Sequence, residues 1–240
     1  MINTVACVLR SGKDFSAGYV HRLYSAVKEH WPKGERLDFV ALTDTPIDHP
    51  EVREIPLGYQ WPGYWAKLEL FRPDVMGDLL YFDLDTMITG PLDDLARFPH
   101  HAMLRSFRWP RERVASGVMV LPEAVRPVIW ERWMLDPDKW MRVHRWPNPE
   151  GHMSGDQGFL QETWERSGWG SDRKPTPQWS KHGILRLQRE LPRQICSYKR
   201  HVRKAGKVPP GARVVCFHGD PRPHAIGWRL PGNEDRKSVV

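Results

Sequence analysis

Two carboxylates one residue apart, Asp83 and Asp85, follow directly on the apolar run Leu79-Leu80-Tyr81-Phe82. A pair delivered this way can hold a hard divalent cation, because Mg²⁺ or Mn²⁺ takes one or two carboxylates and completes its octahedron with substrate phosphates and water. Such a cation neutralises the charge that develops on a departing phosphate or diphosphate. The pair alone leaves a second reading open, since two Asp after a strand also serve as turn residues with solvated carboxylates. A phosphatase of the Asp-x-Asp-x-Thr type is disfavoured: Met87 stands where the Thr is needed, and Thr86 comes one place early.

The elements that must position this pair read as an α/β unit. Thr4–Leu9 is a β-branched and apolar run ending at Arg10-Ser11-Gly12, a buried strand followed by a turn. Asp14 or Ser16 can cap a following helix, in which Val20, Leu23, Tyr24, Val27 and Trp31 recur at helical spacing until Pro32. Leu37–Thr43 supplies the next strand. Strand, helix, strand in the first 45 residues opens a parallel sheet with right-handed crossovers. Ligands of such sheets sit at the carboxyl ends of the strands. Gly63–Arg72 reads as a helix stopped by Pro73, and Leu79–Phe82 as the strand that ends in the carboxylates. Further on, Ser116–Leu121, Ile195–Tyr198 and Val214–Phe217 read as strands, and Glu123–Trp133 and Gln157–Arg166 as helices. Trp133–His152 reads as a surface excursion and Pro231–Val240 as a loose tail, leaving one domain over residues 1–230.

The bulk properties fit one sizeable core, as 240 residues fall within the usual single-domain range. The net charge of +7 is uneven: residues 181–240 carry 14 Lys/Arg against 4 Asp/Glu, and the remainder is slightly acidic. A basic C-terminal quarter suits an anionic partner, either a diphosphate, an anionic membrane surface or nucleic acid, or is simply a solvated face. Nucleic-acid binding leaves the carboxylate pair unexplained, and no RRM, KH, zinc-finger or helix-turn-helix signature accompanies the charge. A nucleotidyltransferase would need a Gly-rich phosphate loop that Val8–Phe15 lacks. Three widely spaced cysteines, Cys7, Cys196 and Cys216, indicate neither a disulfide framework nor a zinc site. The opening apolar run is too short for a signal peptide or a membrane span, so the expected location is the cytoplasm, with peripheral contact at the inner face of the membrane through the basic segment.

Seven blocks in order resemble the GT-A-fold glycosyltransferases, especially glycosyltransferase family 8 and related bacterial and phage sugar transferases. They are Thr4–Leu9, Phe39–Asp44, Trp65-Ala-Lys-Leu-Glu-Leu-Phe71, Leu80-Tyr-Phe-Asp-Leu-Asp-Thr86, Ser116-Gly-Val-Met-Val-Leu121, Gly155-Asp-Gln157 and Phe217-His-Gly-Asp-Pro-Arg-Pro223. The resemblance implies one Rossmann-like GT-A domain, with a mixed, mostly parallel sheet flanked by helices. It implies transfer of a hexosyl unit from a nucleoside-diphosphate sugar, UDP-linked, to a hydroxyl of a glycan, lipid or protein. The implied cofactor is Mn²⁺ or Mg²⁺, and the implied stereochemistry is retention, although Asp156 can also be drawn as the base of an inverting reaction.

Residue by residue, the resemblance makes Asp83, Asp85 and His218 the metal ligands, with Asp83 also near the ribose. Cys7, Val8 and Arg10, at the end of the first strand, would meet the nucleobase and ribose. Lys67 would touch the phosphates or Asp83, and Ser116-Gly117 would let the backbone approach the donor sugar. Asp156 and Gln157 would flank that sugar. The last block departs from the family pattern: Gly219 follows His218 directly, and Arg222-Pro223-His224 replaces Lys-Pro-Trp. Arg222 can still offer a guanidinium fork to phosphates. A ligating His218 of ordinary basicity would lose the metal as it protonates near pH ~6.5. Each position also has a plainer explanation: a surface lysine, a glycine at a strand start, a helix cap at Gly155-Asp156, a histidine at a strand end.

Overall fold

The computed structural model describes residues 1–12, 14–108, 113–145, 147, 154–167 and 184–231. The first strand, β1 (Thr4–Leu9), is followed by α1 (Ala17–His30), β2 (Asp38–Thr43) and β3 (Val52–Pro56). A 3-10 helix over Gly63–Phe71 leads to β4 (Leu79–Phe82), β5 (Thr86–Ile88), the short α2 (Asp93–Ala96), β6 (Ala102–Arg105) and β7 (Val114–Leu121). Then come α3 (Arg126–Leu135), α4 (Pro137–Val143), α5 (Gly155–Ser167), β8 (Leu185–Arg186), β9 (Ile195–Ser197) and β10 (Val214–Cys216).

The large sheet runs β3-β2-β1-β4-β7-β6-β8. Its first four strands are parallel, with Val5 opposite Phe39 and Leu80, whereas β7 is antiparallel to both β4 and β6. Strand alternation divides its buried side chains between two cores. Val5, Cys7, Leu9, Leu80, Phe82, Val118 and Val120 pack with Val20, Leu23 and Val27 of α1. Ala6, Leu79, Tyr81, Met119 and Leu121 pack with Trp61, Trp65, Trp133 and Phe159. The helical stripe expected in α1 is the buried one, and Ser16 holds its N-cap position without a side-chain capping bond.

The segment expected as a surface excursion begins deep inside. Trp133 is fully buried, stacked on Trp65 with centroids 5.4 Å apart and edge-on to Trp61 at 5.1 Å, and Pro137–Val143 is helical. Its remainder, residues 146 and 148–152, and all of the expected tail except Pro231 lie outside the described residues. Of the 12 tryptophans in the sequence, Trp31, Trp61, Trp65, Trp133 and Trp164 are buried, where each large aromatic removes much apolar surface from water.

A second sheet, β5-β10-β9, stands beside the first, with β10 antiparallel to β5 and parallel to β9. It has its own small core of Cys196, Tyr198, Val202, Val215, Phe217 and Leu230. Only Asp83, Leu84 and Asp85 separate β4 of one sheet from β5 of the other.

Candidate active site

The carboxylate pair stands at the carboxyl end of β4, as the sequence expects. The Asp83 amide donates to Gly117 O at 2.8 Å and the Thr86 amide to Asp83 O at 3.0 Å, which turns the chain out of the large sheet. Tyr81, two positions earlier and so on the same face, donates its hydroxyl to Asp83 Oδ1 at 2.6 Å. A Cβ on Gly117 would lie 3.5 Å from Asp83 Oδ2 and 3.4 Å from Leu104 Cδ1. The absent side chain thus leaves that carboxylate oxygen open to the cavity.

Lys67 comes to Asp83 from the 3-10 helix. Its Nζ lies 2.7 Å from Asp83 Oδ1, 3.6 Å from Asp156 Oδ2 and 3.3 Å from Ser116 Oγ. Burial alone would lower its basicity, but Asp156 and Asp83 outweigh that and hold the ammonium above the usual lysine range. The helix is anchored at its end by the buried Arg126, which donates to Leu70 O at 3.1 Å and Gly77 O at 2.7 Å. Within it, the buried Glu69 accepts from the amides of Gly58 at 2.6 Å and Tyr59 at 3.1 Å. Lys67 is therefore a held cation and not a surface lysine.

Asp85 is buried and ion-paired with Arg222, whose guanidinium also lies over the Phe15 ring at 4.9 Å. Burial and the neighbouring Asp83 charge push the Asp85 carboxyl up to about 7, against the opposing pull of Arg222 and Lys67. Asp156, at the start of α5, is 5% exposed, and its Oδ2 has no hydrogen-bond partner among the described residues. Gly155 ahead of it has φ +77, and a Cβ there would press within 3.4 Å of the Tyr64 ring.

These groups line two cavities that share Tyr64, Lys67 and Asp83. The smaller, about 190 Å³, is also bounded by Val8, Arg10, Phe15, Asp85 and Arg222. Arg10 is fixed there by Asp44 at 3.2 Å and Gln60 at 2.6 Å. The larger, about 770 Å³, is also bounded by Ser116, Gly117, Asp156, Gln157, His218 and Gly219. The sequence reading missed Tyr64, Tyr81 and Phe15. Tyr81 was findable, being two residues before Asp83 in a strand; the exposure of Tyr64 and the approach of Phe15 to Arg222 depend on tertiary packing.

Cys7 and the expected metal ligands sit differently from the other expected residues. The Cys7 side chain lines neither cavity: alternation turns it into the core under α1, opposite to Val8, and burial pushes its thiol far up. The expected grouping of Asp83, Asp85 and His218 is not assembled, and among the described residues no three His, Cys, Asp or Glu side chains gather as a ligand set. Arg222 compensates Asp85 instead. His218 Nε2 meets Ser197 Oγ at 2.7 Å, and its ring stacks on Phe107 with centroids 5.7 Å apart. Even so, the donor types suit a hard divalent cation: Asp83 and His218 line one cavity, Asp83 and Asp85 line the other, and His218 Nδ1 is buried without a hydrogen-bond partner among the described residues. Burial, then Lys199 and Arg108, press the imidazole down to about 4, so it is a neutral donor.

No protein-family model and no curated protein matches the chain by sequence. Among solved structures it is similar to the glycosyltransferase GlyE of Streptococcus pneumoniae, with TM-score 0.53 and 14% identity over 93% of this chain and 56% of that one. It is similar to the bifunctional glycosyltransferase WbbM, with TM-score 0.58 and 12% identity over 92% of this chain and 46% of that one. It is also similar to the galactosyltransferase LgtC solved with donor and acceptor sugar analogues, with TM-score 0.56 and 13% identity over 92% of this chain and 88% of that one. The chain thus spans about half the length of GlyE and WbbM and most of LgtC. The fold is the GT-A type of these glycosyltransferases, a mixed and mostly parallel sheet flanked by helices.

Proposed function

We propose that the chain is a metal-dependent, retaining glycosyltransferase that moves a hexosyl unit from a UDP-sugar to a hydroxyl acceptor. The observation that carries this reading is the Lys67–Asp83–Asp156 cluster on the wall between two cavities, one sized for part of a nucleotide and one for sugars. The fold shared with LgtC, whose structure holds donor and acceptor sugar analogues, supports it.

In this reading the smaller cavity takes the nucleotide, with Arg10 and Phe15 at its wall and the Arg222 fork presented to the diphosphate. Asp83, Asp85 and His218 would hold Mn²⁺ or Mg²⁺, which supplies charge stabilisation to the leaving diphosphate. Lys67 holds the Asp83 carboxylate in place through its 2.7 Å contact with Oδ1. Asp156 Oδ2, ion-paired with Lys67 but without a hydrogen bond among the described residues, accepts one from a donor-sugar hydroxyl, and Gln157 lines the same cavity. The bond from C1 to the diphosphate oxygen breaks, a bond from C1 to the acceptor oxygen forms, and the acceptor proton passes to the departing phosphate.

Retention is favoured because an inverting reaction needs a carboxylate base free to take the acceptor proton. The carboxylates among the described residues of the larger cavity are Asp83 and Asp156, and Lys67 lies against both. The test is a panel of nucleotide-sugars with and without Mn²⁺, read by thermal stabilisation and donor hydrolysis, with the anomeric product assigned by NMR. Stabilisation by UDP with Mn²⁺ is expected; stabilisation by duplex DNA in place of UDP rejects the proposal.

A further inference from the structure

The larger cavity is lined by charges of both signs. Asp83 and Asp156 line it around Lys67, and another stretch of its wall carries Arg108 and Arg113, from the two ends of the segment joining β6 to β7, together with His218 and Gly219. The Ser106 amide donates to Arg113 O at 2.7 Å, which ties the two ends of that segment together. Lys199 stands behind the same wall, its Nζ 3.6 Å from where a Cβ on Gly219 would lie. The cations act on one another: burial, then Arg108, weaken the basicity of Lys199, with Asp220 opposing and Arg203 and Arg222 adding to the effect.

Among the described residues no carboxylate forms a salt bridge with Arg108, Arg113 or Lys199. Arg108 and Arg113 are exposed, so solvent screens the repulsion among the three cations and Asp220 offsets part of it, and an anion entering the cavity would meet a net positive potential there. That anion is not the donor diphosphate in the arrangement proposed above, because Arg222 and Asp85 line the smaller cavity, while Arg108, Arg113 and Gly219 line only the larger. Beyond the shared wall the larger cavity is open to the acceptor, and a planar guanidinium recognises a carboxylate or phosphate with two parallel hydrogen bonds.

We propose that the acceptor is an anionic glycan, with a carboxylate or phosphate seated against Arg108 and Arg113. This rests on the transferase reading and adds the chemical class of its second substrate. Lys199 deepens the positive potential behind Gly219 without forming part of the seat.

The test compares a neutral methyl hexoside, its 6-phosphate and the corresponding methyl uronate as acceptors, using the donor that turns over best and the full chain with Mn²⁺. The anionic acceptors are expected to show kcat/KM about tenfold above the neutral one, the scale of one charge-assisted contact. The ratio between phosphate and uronate identifies which anion the seat prefers. In R108Q/R113Q the advantage disappears through acceptor KM, in R108K/R113K part of it remains, and UDP affinity measured separately by calorimetry stays within about twofold. A single R113Q variant, checked by its unfolding midpoint, covers the case in which the double variant fails to fold. Equal use of neutral and anionic acceptors overturns the proposal, as does loss of UDP affinity in the arginine variants, which would assign these cations to the diphosphate. If the parent chain binds no UDP, the transferase reading itself falls, and this one with it.

Discussion

Arg222 and Asp85, 137 positions apart in the chain, meet as an ion pair at the mouth of the smaller cavity. The pair joins the loop after β10 to the loop after β4, so it closes the site and also neutralises a carboxylate that burial disfavours. Replacing Asp85 by Asn keeps the shape and removes the charge. Donor turnover in D85N is expected to fall by about a hundredfold or more, the scale of losing one electrostatic stabiliser of the leaving group. Its urea-unfolding midpoint should match or exceed that of the parent chain. Full donor hydrolysis by D85N would remove Asp85 from the metal site.

Acidity should act on Asp85 in an unusual direction. A carboxyl raised to about 7 in the folded chain, from an ordinary value near ~3.9, takes up its proton more readily folded than unfolded. Its contribution to stability is therefore fully present below the unfolded value and is lost as pH rises through 7. Melting curves from pH 5 to pH 8 should show a downward slope that D85N flattens. Because a ligating carboxylate must be ionised, Mn²⁺ should stabilise the parent chain more at pH 8 than at pH 6.

His218 moves the other way. Its imidazole is held near 4, so protons bind the unfolded chain more tightly, and the stability this group gives is lost as pH falls from about 6.5 towards 4. Burial, with Lys199 and Arg108 adding to it, thus displaces the acid weakening of metal binding from the pH ~6.5 of an unperturbed histidine to well below it. Isothermal titration with Mn²⁺ in the presence of UDP at pH 5.5 and 7.5 should show the Asp85 dependence, which H218Q leaves in place. An added step near pH 6.5 that H218Q abolishes would show that this imidazole is not suppressed.

Lys67 joins the buried Asp156 to the half-buried Asp83, and taking it away leaves Asp156 without its cation. K67Q is expected to lose about 3 kcal/mol of stability, the scale of breaking a buried ion pair from one side. Donor affinity should fall as well. An unfolding free energy equal to that of the parent would show that the cluster is solvated.

Gly117 separates a donor-sugar role from a merely structural one. The added methyl of G117A would make ordinary contacts with Leu104 Cδ1 and Asp83 Oδ2, so the melting temperature should change by no more than a few degrees. It would also cover the open oxygen of Asp83. Turnover is expected to fall while the fold persists; a fall in stability with unchanged turnover would make Gly117 a packing glycine.

Much of this was legible in the sequence for simple reasons. The first strand is a continuous apolar run, α1 has a stripe of apolar residues at helical spacing, and Leu79–Phe82 announces the carboxylates at its end. Illegible elements lacked such a signal: Val52–Pro56 is an edge strand with one buried residue, and Thr86–Ile88 is only three residues long. Trp133 is followed directly by the exposed Met134 and Leu135, so the local sequence does not single it out, and its place between Trp61 and Trp65 is decided by how α3 lies on the 3-10 helix. Lys67, Asp83, Ser116 and Asp156 each had a plainer explanation alone, and their convergence appears only once β4 and β7 are paired. The Arg222–Asp85 pair had no local cue at all.

The three-residue link Asp83-Leu84-Asp85 carries a further constraint. It joins the last residue of β4 in one sheet to the first residue of β5 in the other, so its length is a fixed dimension of the molecule. One residue more or fewer would rotate every later side chain of β5 to the opposite face, shifting Thr86 and Ile88 out of register with Cys216 and Val214. The spacing of the two acids is therefore set as firmly by the carpentry of the sheets as by the chemistry of the site, and a lineage could change either acid far more readily than the distance between them.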